Sequence, residues 1–230
     1  MLGQEIPPTD YDVRFSCLGF PVRISPWFWL TSAILVWSDK LDRTIVGMVA
    51  VFVSILIHEL GHALAGRYYG GRSEIVLHFF GGYATRTVNP SRLGTILISA
   101  AGPAAGMLLW GVLTLLVRQF PLRIANAHEY IFVLLDVLLW ANWAWSLMNL
   151  LPVWPLDGGQ IVHQVIGRFR AFDAWELTLK LSILVCAGVV GWCAFEFSQT
   201  GHGDRFLIIL FVLLAFQNFQ NLQASTRGRW

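Results

Sequence analysis

The chain has 230 residues, of which 56% are hydrophobic and only 13% charged, with eleven tryptophans and a formal net charge of +2. A soluble domain carries about twice that charged fraction, so the composition excludes an ordinary soluble enzyme and points to a polytopic membrane protein. The near-neutral charge carries no electrostatic footprint for nucleic acid, and no such partner is expected.

Residues 1–14 are polar and proline-containing, without the apolar run of a signal peptide, so no cleavage is expected there. Six apolar segments follow as candidate spans, at 24–38, 44–66, 93–117, 130–151, 177–195 and 206–222. Five reach the roughly 17–25 residues a helix needs to cross, while the first has only fifteen uncharged residues. With six spans, ten basic residues from Arg14 to Arg229 fall on one side, and Lys40, Arg43, Arg118, Arg123 and Arg205 on the other. That bias puts both termini in the cytoplasm of a multi-pass cell-membrane protein.

The second segment holds His58, Glu59 and His62, an H-E-x-x-H pattern, and Glu59 is the one formally charged residue between Thr44 and Gly66. Positions four apart lie one above the other on a helix, so both imidazoles can reach one metal while the carboxylate projects beside them. Ionisable groups at membrane depth are costly and mark function by default. This is the ligand and base geometry of a zinc-dependent hydrolase, with His58 and His62 in the cytoplasmic half of the span.

Residues 75–88 differ from the spans. They are rich in β-branched and aromatic residues around Gly81 and Gly82, which predicts a short membrane-associated β-hairpin turning at that pair. His78 on it is a competing metal ligand, against its more ordinary use as a packing residue. In the third segment Gly102-Pro103-Ala-Ala-Gly106 offers a small-residue face for close helix packing and permits a kink. In the fourth, Asp136 could meet Arg118 or Arg123 at the outer boundary, and Asn142 shares a face with Asn149 and could extend a polar lining.

A catalytic zinc keeps three protein ligands and an open position. The third candidate is Asp157, in the Pro- and Gly-broken stretch Pro152-Val-Trp-Pro155-Leu-Asp157-Gly158-Gly159 that follows the fourth segment. Irregular backbone of this kind is tolerated at membrane depth only against protein or a wet cavity. Lys180 finds its partner in Glu176, one helical turn earlier. Cys17, Cys186 and Cys193 show no ligand spacing and read as packing residues; His128 and His202 fall in loops.

H-E-x-x-H in one span followed by N-x-x-P-x-x-P-L-D-G-G from Asn149 resembles the site-2 protease family of intramembrane zinc metalloproteases. The segment Gly19-Phe-Pro-Val-Arg-Ile-Ser-Pro-Trp-Phe28 is similar to the family's approach to its first span, with Ser25 where that family often has His, and Gly102-Pro103 resembles its Gly-Pro motif. The resemblance implies that His58, His62 and Asp157 bind one zinc ion, that Glu59 is the base activating the attacking water, and that Asn149 stabilises the oxyanion. An interhelical hydrogen bond is the alternative use of Asn149, and the two are compatible.

The expected architecture is therefore an all-α polytopic membrane protein of about six transmembrane helices, with a three-helix catalytic core and the hairpin. It is expected as a single membrane protease domain over 1–230, with the core at about 44–165, the hairpin at about 75–88 and extra C-terminal helices at about 174–222 that could gate substrate entry. No PDZ or nucleotide-sensing domain is expected. The expected activity is hydrolysis of a peptide bond in or near a transmembrane segment of another protein, in regulated intramembrane proteolysis, with membrane lipid and a regulatory membrane protein as further partners. The alternatives are a catalytically inactive relative that binds membrane segments and, from another class, a metal transporter. The second should show ligands strung along a pathway, and no such series is present.

Overall fold

The computed structural model describes residues 7–79, 81–85, 87, 89–120, 128–200 and 205–227. In chain order these form β1 (Val13–Cys17), β2 (Phe20–Ile24), α1 (Pro26–Leu35), α2 (Leu41–Tyr68), β3 (Ile75–His78), β4 (Gly81–Ala84), α3 (Arg92–Gln119), α4 (Glu129–Asn149), α5 (Asp157–Phe169), α6 (Ala174–Thr200) and α7 (Arg205–Arg227). Among the described residues five helices are long and apolar enough to cross a membrane: α2, α3, α4, α6 and Phe206–Thr226 within α7. The described residues divide into two compact units, one of residues 7–148 and one of residues 149–227.

In the first unit the strands form one sheet in the order β1-β2-β3-β4, with β2 and β3 parallel and the outer pairs antiparallel. The expectation of an all-α protein with a lone hairpin is thus corrected by an N-terminal hairpin, β1–β2, which joins the predicted one. The inner face of β2 and β3 supplies Phe20, Val22, Ile24, Ile75 and Leu77, which pack with Phe28 and with Val51 and Ile55 of α2. The opposite face holds Arg23, whose Nη1 lies 3.0 Å from Asp12 Oδ2 and whose Nε lies 3.6 Å from Glu74 Oε1. The hairpin turn also moves. His78 pairs with Gly81, so the strands reverse between those residues and the two glycines belong to β4.

The first apolar segment is not a helical span. Pro26 sits at the first helical position, where its missing N–H costs nothing, and α1 runs only ten residues, about 15 Å. The residues before it are drawn into β2, whose backbone groups are met by strands on both sides. Strand and helix together run antiparallel to α2. At one end Arg67 Nη1 donates to Leu18 O over 3.1 Å, and at the other a Cβ on Gly47 would lie 2.8 Å from Val36 Cγ2. Gly47 and Arg67 are separated by about 30 Å of helix rise.

Three helices of this unit approach closely through small residues. A Cβ on Gly61 of α2 would lie 2.4 Å from the Ala101 carbonyl of α3, and one on Gly106 of α3 would lie 2.3 Å from Ser146 Oγ of α4. Asn142 Nδ2 of α4 donates to Ser54 Oγ of α2 over 2.8 Å and to its own Leu138 carbonyl over 2.8 Å. Asn142 therefore ties two helices together. Asp136 is exposed, and its expected ion pair with Arg118 is not formed among the described residues; Arg123 lies outside them.

In the second unit α5 follows the Pro/Gly-broken loop, and α6 and α7 complete it. Lys180 Nζ meets Glu176 Oε1 at 2.7 Å, as the four-residue spacing predicts. Cys186 and Cys193 are both buried in α6, and neither forms a disulfide. His163 of α5 packs edge-on to Trp154 and Trp175, with Nδ1 3.3 Å from Thr178 Oγ1. His202 lies outside the described residues.

Candidate metal centre

The H-E-x-x-H residues lie in the C-terminal half of α2, about 24 Å of helix rise from the acidic first turn at Asp42. His58 and Glu59 are buried and His62 is half-buried. His62 Nδ1 lies 2.7 Å from the Ile98 carbonyl of α3, a distance at which the ring nitrogen donates its proton. That bond fixes the tautomer, so that Nε2 carries the ring's lone pair on the side of His58. His62 Nε2 approaches His58 Nε2 to 3.1 Å. Two nitrogens at about 2.0–2.1 Å from one tetrahedral ion sit about 3.3 Å apart, so the pair is set for one shared divalent metal.

The walls of this half-site are backbone. A Cβ on Gly102 would fall 2.2 Å from His62 Nε2, so α3 presents bare main chain to the ring. On the other side β4 lies against the base: a Cβ on Gly82 would fall 2.8 Å from Glu59 Cγ and 3.0 Å from Glu59 Oε1. Gly81 next to it has φ +114° and a Cβ there would strike Trp145 at 2.4 Å. These glycines read as turn residues in sequence. They are contact residues, and the periodicity of β4 carries no signal of what it packs against.

His78 is on β3 with its ring 5.5 Å from that of Tyr83. Burial, and then the charge of Arg23, push its imidazole down to about 4, so it is neutral at physiological pH and available for packing.

Asn149 and Asp157 belong to the second unit. Asn149 is the last residue of α4 and is buried; Asp157 is the first residue of α5 and is buried. The first turn of α5 fits flush into the loop before it. A Cβ on Gly158 would lie 2.2 Å from the Leu150 carbonyl, and one on Gly159 would lie 2.5 Å from Trp154 N. The D-G-G string is thus one device: a carboxylate followed by two residues whose missing side chains let the loop wrap the helix start.

A helix-borne H-E-x-x-H between a β-strand edge and a bare helix backbone, in a chain of long apolar helices, defines a membrane protein of the metallopeptidase type. The family Peptidase M50B-like matches residues 27–168, and the chain belongs to it. A zinc metalloprotease of Methanocaldococcus jannaschii is 29% identical over 166 residues, covering 69% of this chain and 47% of that protein. Stage IV sporulation protein FB of Bacillus subtilis is 26% identical over 207 residues, covering 86% and 65%. The chain therefore spans about half to two thirds of the length of these relatives. Among solved structures, the site-2 protease from Methanocaldococcus jannaschii superposes with a TM-score of 0.62 at 21% identity, covering 92% of this chain and 95% of that one.

Proposed function

We propose that the chain is an intramembrane zinc endopeptidase that hydrolyses a peptide bond in or beside a transmembrane segment of another protein. The observation that carries this is the 3.1 Å approach of His58 Nε2 to His62 Nε2 with Glu59 buried beside them inside a 28-residue apolar helix. His58, His62 and Asp157 would hold the ion. When bound, zinc lowers the pKa of water toward about 7 and polarises a carbonyl. Glu59 takes one proton from the attacking water as the new C–O bond forms, and returns it to the leaving nitrogen as the C–N bond breaks. Asn149 Nδ2 donates to the oxygen on which negative charge develops. The purified protein is expected to bind one zinc, to cut members of a panel of tagged single-span proteins, to stop on chelation and to resume when zinc is restored. Cleavage that persists after complete zinc removal would sink the reading.

The reading treats residues 1–230 as one protease domain, its core at about 44–165 and built on α2, α3 and α4. Six crossings remain the best account, the first made by β2 and α1 in series alongside α2, which puts both termini on the arginine-rich, cytoplasmic side of the cell membrane. An impermeant thiol reagent applied from outside should then label a cysteine placed at position 39 and spare Cys17; the reverse pattern excludes this topology.

Substrate is held as an added strand. β4 is the edge of the sheet and its Gly82 lies against Glu59, so a peptide paired to β4 would pass the base in extended form, with its peptide bonds exposed as a helix never leaves them. Thr85 N–H bonds to the Glu74 carbonyl, and in an antiparallel ladder the N–H groups then alternate, turning that of Ala84 away from β3. Ala84→Pro removes a donor from the open side alone. It should lower kcat/KM by about tenfold, the scale of one or two lost hydrogen bonds, with zinc content unchanged; unaltered kinetics would rule out strand addition at this edge.

A further inference from the structure

The last two helices carry no motif of the expected chemistry, yet they grip the loop that delivers Asp157. Ser182 Oγ of α6 accepts the Trp154 N–H over 2.9 Å, and its own proton goes to the Thr178 carbonyl at 2.8 Å. Asn218 Nδ2 of α7 donates to the Trp154 carbonyl over 2.6 Å and to the Leu214 carbonyl over 2.8 Å. Both main-chain groups of one residue, three positions before Asp157, are thus held by side chains 28 and 64 residues away. Ser182 and Asn218 are fully buried.

We infer that Ser182 and Asn218 are positioning residues for Asp157, fixing its loop so that the carboxylate is presented in one place before any metal arrives. The inference rests on the reading of Asp157 as a zinc ligand. The path from grip to carboxylate is short and stiff. Trp154 is held at both ends of its backbone, Leu156 N–H returns to the Val153 carbonyl at 2.8 Å, and Gln160 N–H closes on Leu156 O at 3.1 Å. The first turn of α5 sits against this loop with no room for a side chain on Gly158 or Gly159. A loop with two prolines and two glycines would otherwise sample several backbones, and each would carry Asp157 elsewhere. The role also accounts for two polar residues in the interiors of apolar helices, whose donors are met within the protein.

The deciding measurement is the zinc dissociation constant, obtained by competition with a chromogenic chelator for the purified 230-residue chain in detergent, alongside kcat and KM for a tagged single-span substrate. Removing partners that orient a metal ligand costs about 10–100-fold in metal affinity. Asn218→Leu and Ser182→Ala should each weaken zinc by that factor. At limiting zinc kcat should fall with KM unchanged, and excess zinc should restore most of it. Ser182→Thr keeps the hydroxyl and should recover near wild-type affinity, and Gln220→Ala, exposed on α7, should change nothing. Wild-type zinc affinity in Asn218→Leu and Ser182→Ala, with affinity lost in Asp157→Asn, overturns the positioning role and leaves the ligand assignment standing. Wild-type affinity in Asp157→Asn as well overturns the assignment beneath it. Should Asn218→Leu fail to fold, the contrast between Ser182→Ala and Ser182→Thr decides alone.

Discussion

Glu59→Gln is expected to bind one zinc as the wild type does and to lose cleavage by about 10²–10⁴-fold, the range that a positioned general base contributes. The substitution isolates the proton transfer from everything else in the site. Gln matches Glu in shape, and shape matters here because β4 lies against this side chain: a Cβ on Gly82 would already be 2.8 Å from Glu59 Cγ. An amide therefore fits without moving the strand. The two imidazoles are unaltered, and the bond from His62 Nδ1 to the Ile98 carbonyl, which sets the tautomer, does not involve Glu59. Metal content by elemental analysis and turnover of a single-span substrate are read on the same sample. Loss of zinc together with activity would mean that Glu59 supports the metal and is not simply a base. Full activity would remove it from the mechanism.

The parts of this site legible in the sequence are those whose geometry is local. His58 and His62 are one helical turn apart, so their convergence follows from 3.6 residues per turn, and the apolar runs that became α2, α3, α4, α6 and α7 are long enough to need no partner for their assignment. What was not legible depends on residues distant in the chain. The segment at 24–38 reads as a candidate span because it is uncharged and mostly apolar. Its preceding residues become a strand because β3, some fifty residues later, pairs with β2 in parallel register. Pro26 marks the helix start, and nothing nearby announces the strand before it. Gly81 and Gly82 read as a turn for the ordinary reason that glycine permits one, whereas the contacts that require glycine there come from Trp145 and Glu59. Likewise the seven-residue spacing places Asn142 on the face of Asn149, while its amide donates to Ser54 of another helix. Periodicity assigns a face and is silent on what meets it.

Gly102→Ala should weaken metal binding severely although it replaces none of the proposed ligand residues. The added methyl carbon would stand 2.2 Å from His62 Nε2, 2.4 Å from Cε1 and 2.8 Å from Cδ2, so one of two bodies must move by well over 1 Å, roughly 1.2–1.8 Å, to reach ordinary contact. The ring cannot shift freely, because its Nδ1 is bonded to the Ile98 carbonyl at 2.7 Å on the same helix that carries the new methyl. Nor can α3 retreat without loss. Its Ala101 carbonyl faces Gly61 so closely that a Cβ there would lie at 2.4 Å, and withdrawing would open a backbone-to-backbone contact along the whole crossing. Either movement takes Nε2 out of line with His58 Nε2. The expected result is zinc affinity lower by 100-fold or more and cleavage below detection, in a protein whose melting temperature in detergent drops by only a few degrees. Gly111→Ala in the same helix is the matched comparison, since a methyl there meets nothing within 4 Å; it should leave zinc binding unchanged and, by helix propensity, favour the fold by up to about 1 kcal/mol. If the two variants bind zinc alike, His62 is not held against α3 as described, and the small-residue face of that helix serves packing alone.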